Sequence, residues 1–343
     1  MTRPVVIRLR NWVGDVVLSV PTLRRIEQAG FTLHLIGKGW APSLLAGFGW
    51  QVHRLPTSTR ERIAQLRSLR RTLAPGLAGS APPAGGSADA IAFPYSFGSA
   101  LEMRLAGWRA LGFAYEGRSL LLARALPKPR GVHTLQEYWQ LGDAFLGTSA
   151  PVPASIGWRI DEGARDRARA LLQARGVAPG FVLACPYAGG TYDHHDKRWP
   201  HFPAYVQQLP QALGRPVVLC PGPGEEVLVS HRDYPGAVVL EGVDLGAYAA
   251  LMEQAALVVS NDTGPGHLAA AVGVPLLSVL GPTVPGHWGA WGPSVHIERR
   301  WPGWPAADAI LQRTHALLEQ DARGRAPTPL VSPSPSIPPP LST

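Results

Sequence analysis

The sequence predicts an α/β protein built on parallel sheets. Three observations carry that expectation. Short Val/Ile/Leu-rich runs alternate with helix-like segments along most of the chain. Polar, glycine-rich turns follow several of those runs, where open parallel sheets hold ligands. The length of 343 residues exceeds one typical core, so two domains are expected.

The elements follow in order. "PVVIRL" reads as a first strand, "RNWVGD" as its turn and "VVLSVPTLRRIEQAG" as a helix closed by Gly30 and kinked by Pro21. "FTLHLIG" is the next strand and completes a β-α-β start. In "RERIAQLRSLRRTLA" the residues Ile63, Leu66, Leu69 and Leu73 share one helical face. "PGLAGSAPPAGGSA" is a flexible loop, and "DAIAFPYS" is a strand ending in a polar turn. "VHTLQEYWQLGDAFLG" is helical and runs into a proline-marked linker, which sets a domain boundary near residue 155.

The second half restarts with the helix "DEGARDRARALLQARG" and the strand "GFVLACPY". The loop "AGGTYDHHDKRWP" and the helix "HFPAYVQQLPQALG" come next, then the strand "PVVLCPGPGEE", a further helix and the strand "AVVLEG". "VVSNDTGPGHLAAAVGVPLLSVLGPT" closes the alternation as strand, polar turn, helix and strand. The Pro/Ser-rich end is expected to be disordered. The organisation is therefore 1–155, 156–321 and a tail of 322–343.

Composition narrows the classes. The net charge of +8 is uneven: residues 1–155 carry 18 Lys+Arg against 8 Asp+Glu, and the remainder 14 against 16. A basic first half fits an anionic partner, although a solvated arginine-rich face would give the same count. No zinc-finger spacing, basic-aromatic pattern or homeodomain-like helix suggests nucleic acid. No run reaches the roughly 18 apolar residues a spanning helix needs. Arg8, Arg10 and Asp15 interrupt any signal-peptide core at the N-terminus. Cys185 and Cys220 lie in apolar runs and are expected reduced and buried, which suits the cytoplasm.

Four turns concentrate chemistry. In "AGGTYDHHDKRWP", Gly189 and Gly190 permit close backbone approach, while Thr191 and Lys197 suit phosphate. A plain surface loop with Trp199 as a packing residue is the competing reading. In "GPGEE", Glu225 can accept both ribose hydroxyls, or simply be an acid at a helix start. Asp262, Thr263 and Gly264 end a strand at a helix N-terminus that can receive an anion, with His267 one turn in. An N-cap role would explain Asp262 but not His267. Asp15, at the first strand–helix turn, could take a proton from an attacking hydroxyl, or only cap its helix. "GPGHLA" also fits a dinucleotide fingerprint, yet the next strand ends "VLGPT" without the acid that fingerprint requires. The pair His194–His195 with Asp196 lacks partners at ligand spacing, so no metal is expected.

In this order the motifs resemble the ADP-heptose:lipopolysaccharide heptosyltransferase family, glycosyltransferase family 9, over roughly residues 3–320. "RNWVGDVVLSVPTLRRI" carries the resemblance, leaning toward the heptosyltransferase II type. "FPYSFGSALEMRLAGWRALGFAYEGRSLLL", "VHTLQEYWQLGDAFLG", "DKRWPHF" and "SNDTGPGHLAAAVGVPLLSVLGPT" carry the rest. The resemblance implies a GT-B fold of two Rossmann-like domains facing across a cleft, the acceptor domain first and the nucleotide-sugar domain second. It implies an inverting, metal-independent transfer of heptose from ADP-heptose to a lipopolysaccharide inner-core acceptor, with no cofactor. By this resemblance Asp15 is the catalytic base and Lys197 meets the donor diphosphate. Thr191, Glu225, Asp262, Thr263, Gly264 and His267 complete the donor site. Arg60 and Arg62 are expected acceptor contacts on charge alone. Implied partners are ADP-heptose, an anionic glycolipid and the cytoplasmic face of the inner membrane, with no nucleic acid. Another nucleotide sugar, or a non-catalytic nucleotide-sugar binder of the same fold, remains an open alternative.

Overall fold

The computed structural model describes residues 2–79, 83–228 and 234–324. Residues 325–343, most of the expected tail, lie outside the described residues.

The front lobe runs β1 (Arg3–Arg8), α1 (Val13–Gln28), β2 (Phe31–Gly37), α2 (Ala41–Leu44), β3 (Gln51–Arg54), α3 (Thr59–Ala78), β4 (Ala90–Ala92), α4 (Phe97–Leu105), β5 (Ala110–Ala114), β6 (Arg124–Pro127) and α5 (Thr134–Leu146). The rear lobe runs α6 (Glu162–Ala174), β7 (Val182–Cys185), a hairpin of β8 (Thr191–Tyr192) and β9 (His195–Asp196), α7 (Phe202–Leu213), β10 (Val217–Leu219), β11 (Val238–Val239), α8 (Leu245–Gln254), β12 (Leu257–Ser260), α9 (Gly264–Val272), β13 (Leu276–Leu280), α10 (Pro285–Trp288), β14 (Val295–Arg299) and α11 (Ala307–Gly324).

Each lobe carries a six-stranded sheet, ordered β3-β2-β1-β4-β5-β6 in front and β11-β10-β7-β12-β13-β14 behind. Every ladder in both is parallel. Counted within each lobe, both orders are 3-2-1-4-5-6, the doubly wound arrangement whose order reverses beside the central strand. The reversals fall between β1 and β4 and between β7 and β12, and they fix where a ligand crevice opens.

Period-two alternation sorts the strand side chains. Val5 and Ile7 face the main core while Val6 faces the outer layer under α3, and Val258 and Val259 divide the same way behind. The main core is continuous across both lobes, from β1, α1 and α5 to α6, α8 and α9. Polar ties reinforce it: Arg24 donates to the Gly157 carbonyl at 3.0 Å and Trp291 Nε1 to the Pro153 carbonyl at 2.9 Å. His133 Nε2 meets the Gly289 carbonyl at 2.9 Å.

The leucine face of α3 packs on its own sheet, with Leu66 buried against Met103 and Trp108, so the helix is not an unpartnered amphipath. The Trp108 indole also donates to the Leu66 carbonyl at 3.0 Å; truncating such a residue typically costs about 3–5 kcal/mol.

Three local expectations change. α1 begins at Val13, inside the stretch read as the turn, and runs to Gln28 with Pro21 buried within it at the cost of one backbone N–H. The stretch read as a loop contains the β8–β9 hairpin, turning through Asp193 and His194 at φ 47° and 64°. Two adjacent left-handed residues suit a tight hairpin turn, and the Asp side chain tolerates that region. After β10 only a 3₁₀ turn at Glu226–Leu228 stands where a helix was expected, and residues 229–233 lie outside the described residues.

A candidate active site between two helix N-termini

α1 and α9 enter the cleft from opposite lobes and interlock through glycines. A Cβ on Gly14 would lie 2.5 Å from His267 Cδ2, and one on Gly264 would lie 2.8 Å from Val13 Cβ. Each helix therefore leaves a gap that the other's side chain fills. That contact brings Asp15, one residue after Gly14, into the electrostatic field of His267. The two ends of the sequence motif set meet here.

On the front side, Asp15 Oδ1 accepts from Arg10 Nη1 at 2.6 Å and from the Tyr138 hydroxyl at 2.8 Å. The Arg10 guanidinium rests 3.8 Å from the Tyr95 ring centroid, with Tyr138 and Trp288 at 5.7 and 5.9 Å. Burial disfavours its charge, but Tyr138, Asp15 and Tyr95 outweigh burial and raise its pKa, so Arg10 stays cationic. Lys128 Nζ lies 4.2 Å from the same Tyr95 ring, whose hydroxyl bonds Glu137.

On the rear side, Asp262 Oδ2 accepts from Lys197 Nζ at 3.3 Å and from Thr283 Oγ1 at 2.9 Å. His267 Nε2 is 3.9 Å from Asp262 Oδ1, and His267 Nδ1 is buried with no hydrogen-bond partner. Burial pulls the His267 pKa below its usual value, and the nearby Lys197 adds to that, against Asp262 and Asp15. The imidazole is therefore neutral at neutral pH. Thr263 opens α9 without a side-chain cap, and Pro265 occupies the first turn, leaving backbone N–H groups for a ligand. Asn261, fully buried, holds the turn: its Oδ1 accepts from Trp199 N at 3.0 Å and its Nδ2 bonds the Pro186 carbonyl. This bridge fixes Lys197, two residues before Trp199, beside Asp262.

The remaining candidates stand around this centre. Glu225 follows β10, its Oε2 accepts from Gly222 N at 2.8 Å, and its charge reaches Cys185 at the end of β7 and Tyr248 on α8. Thr191 is exposed on the hairpin, while Gly189 faces Trp12 across the cleft, with 3.8 Å from an added Cβ to the indole. The hairpin pair does not gather as a metal site: Asp196 is taken by Arg198, His195 packs on Trp301, and no described cluster of three ligand-type residues occurs. Cys185 and Cys220 are free thiols; burial raises the Cys185 pKa to about 12 and that of Cys220 well above normal. Arg60 is exposed on α3, and Arg62 directs its guanidinium to the Pro56 and Thr57 carbonyls and to Glu102. Neither arginine joins the Asp15 cluster. Sequence reasoning missed Arg10, Tyr138 and Thr283. Arg10 had a weak signal, as a charge in an apolar run five residues before an acid; Tyr138 and Thr283 had none.

The family profile described as glycosyltransferase family 9 (heptosyltransferase) matches residues 88–310. Lipopolysaccharide heptosyltransferase 1 of Pseudomonas aeruginosa is 36% identical over 207 residues, 58% of this chain and 54% of that protein. The chain thus spans about half the length of the curated relatives it matches. Among solved structures, E. coli ADP-heptose lps heptosyltransferase II superposes with a TM-score of 0.74 at 22% identity, covering 93% of this chain and 99% of that one. E. coli heptosyltransferase WaaC with ADP gives 0.67 at 23% identity, covering 92% and 99%. The likeness to these structures establishes the GT-B fold.

Proposed function

The chain belongs to glycosyltransferase family 9, and from that premise we propose that it is an inverting heptosyltransferase of lipopolysaccharide biosynthesis. Its donor is ADP-heptose, its acceptor an anionic inner-core glycolipid, and the transfer needs no metal. Residues 1–155 form the acceptor domain and 156–321 the donor domain. The observation that carries this reading is the meeting of Asp15 with the Asp262–His267 turn through the Gly14–His267 contact.

In the proposed reaction an acceptor hydroxyl attacks the anomeric carbon from the face opposite the diphosphate. The new C–O bond forms as the old one breaks, Asp15 takes the hydroxyl proton, and ADP leaves with the bonding electrons. Lys197 and the open N–H groups of Thr263–Gly264 receive the growing negative charge, the kind of preorganised stabilisation worth about 3–4 kcal/mol. His267, neutral, contacts the donor; Thr191 meets its phosphate and Glu225 its ribose. A solved neighbour that holds ADP in this fold supports the nucleotide assignment. Arg60 and Arg62 favour the acceptor through charge. Exposed Phe97, Leu105 and Leu120 on the same lobe fit shallow contact with a membrane surface, and no described helix is long and apolar enough to cross one.

Paired donor-binding and turnover measurements test the reading. Asp15→Ala is expected to keep affinity for ADP-heptose and to lose transfer by about 10²–10⁴-fold. Near-normal transfer by that variant removes the base. Transfer is expected to persist in excess chelator; a loss restored by magnesium overturns metal independence. Faster turnover with a different nucleotide sugar reassigns the donor.

A further inference from the structure

We infer that Arg10 and Tyr138 are positioning residues that divide the Asp15 carboxylate into an anchored oxygen and a reactive one. The inference rests on Asp15 as the base and adds what directs it. Both hydrogen bonds to the carboxylate end on Oδ1, from Arg10 Nη1 and from the Tyr138 hydroxyl. Among the described residues no donor reaches Oδ2. The proton of the acceptor hydroxyl therefore goes to Oδ2, while Oδ1 fixes the plane and rotamer of the group.

The anchors are themselves held. Arg10 comes from the turn between β1 and α1, and the Tyr95 ring lies 3.8 Å from its guanidinium. Tyr138 comes from α5, fully buried, its ring 4.9 Å from that of Phe93. Two elements of the front lobe thus converge on one oxygen, which gives the base a single orientation as a substrate arrives.

The arrangement also sets charge. Arg10 is the cation in direct contact with Asp15. Tyr138 and Tyr95 face it as neutral phenols, because burial raises both pKa values. Glu137 is turned to Tyr95, with Lys128 beyond the same ring. From the rear lobe comes neutral His267, backed by the Lys197–Asp262 pair.

The test is steady-state kinetics, with kcat and KM taken separately, using ADP-heptose and a lipopolysaccharide core lacking its heptoses. Arg10→Gln is expected to lower kcat by about tenfold or more, the size of one charge-assisted hydrogen bond, with the KM for ADP-heptose unchanged. Arg10→Lys, which keeps a cationic donor, is expected to recover part of that kcat. Tyr138→Phe is expected to lower kcat by about two- to tenfold, the size of one hydrogen bond, with the KM for ADP-heptose unchanged. Thermal unfolding is followed beside each. An Arg10→Gln variant whose deficit falls on donor KM alone, or tracks lost stability, overturns the inference. So does a Tyr138→Phe variant that changes donor KM alone. Asp15→Asn separates the two levels of the argument: normal transfer there removes the base itself. An inactive Asp15→Asn with an unchanged kcat in Arg10→Gln removes only the positioning role.

Discussion

Helices α1 and α9 each follow a strand beside the reversal of their own sheet, start without a side-chain cap, and point their first turn into the same cleft, yet their first turns differ in charge. Ser58, Ser96, His133, Asp161 and Asp244 cap α3, α4, α5, α6 and α8 with side-chain hydrogen bonds. Among the other long helices, α7 also lacks one. In α1 the first turn carries Asp15, whose negative charge suits the positive end of the helix. In α9 the first turn carries Gly264, Pro265 and Gly266 and no acid. The adjacent Asp262 is already engaged by Lys197 and Thr283. One lobe brings its own anion and the other keeps room for a foreign one, which is the asymmetry a base and a leaving-group site require.

Replacing Lys197 with Ala should break this asymmetry most severely. It removes the cation beside α9 and leaves Asp262 with Thr283 alone, so a negative charge would face the incoming diphosphate. One such interaction is commonly worth about 10²–10³ in rate, and steady-state kinetics with varied ADP-heptose should show a loss of that size. Ordinary kinetics would mean that the bare helix terminus suffices, and Lys197 would leave the site.

The interlock between the helices gives the next largest effect. Gly14→Ala places a methyl 2.5 Å from a buried imidazole carbon, and Gly264→Ala places one 2.8 Å from Val13 Cβ. Such overpacking costs about 1–3 kcal/mol, readable in denaturant titrations. Both changes strain the same contact between α1 and α9, so the double variant should lose less than the sum of the two. Strict additivity would show that the helices do not share a contact surface.

Acidification should show a smaller, graded effect. Burial lowers the pKa of His267 between the helices and of His133 at the other tie between the lobes. In the unfolded chain both titrate near the ordinary value of about 6.5, so below that pH the unfolded state binds more protons. Stability is complete above that value and falls as pH drops from it toward the lower native pKa values. His267→Gln should flatten the pH dependence of the melting temperature between pH 7 and 5. An unchanged slope would exclude His267 as a contributor.

These features differ in how much the sequence could reveal. Both lobes were legible from strand–helix alternation, and the candidate residues Asp15, Asp262 and His267 from their place at strand ends, because main-chain periodicity and helix starts are local. The residues around them were not. Tyr138 lies 123 positions from Asp15, and its helical spacing says only that it is buried. Thr283 reads as the end of a strand until Asp262, 21 positions earlier, is seen to accept its hydrogen bond. The glycines at 14 and 264 look like turn residues, and only the approach of two lobes shows that each clears a space. The hairpin through Asp193 and His194 was missed because neither residue is a glycine, the usual mark of a left-handed turn.

The smallest expected effect concerns the basic surface of the front lobe, where charge replaces geometry. Arg60 is exposed on α3 and points to no partner in the cleft, whereas Arg62 is committed to Pro56, Thr57 and Glu102. If these arginines serve the acceptor, they do so by long-range attraction, which fades over a Debye length of about 8 Å at physiological salt. Arg60→Ala should therefore raise the KM for the anionic acceptor by less than about threefold at low salt, a difference of the order found for exposed ion pairs. The effect should vanish near 0.5 M salt and leave the KM for ADP-heptose untouched. Arg62→Ala should add a loss of stability, because Glu102 is buried and would lose its ion-pair partner. A salt-independent rise in acceptor KM for Arg60→Ala would instead mean direct contact with the acceptor and would place part of its binding on α3.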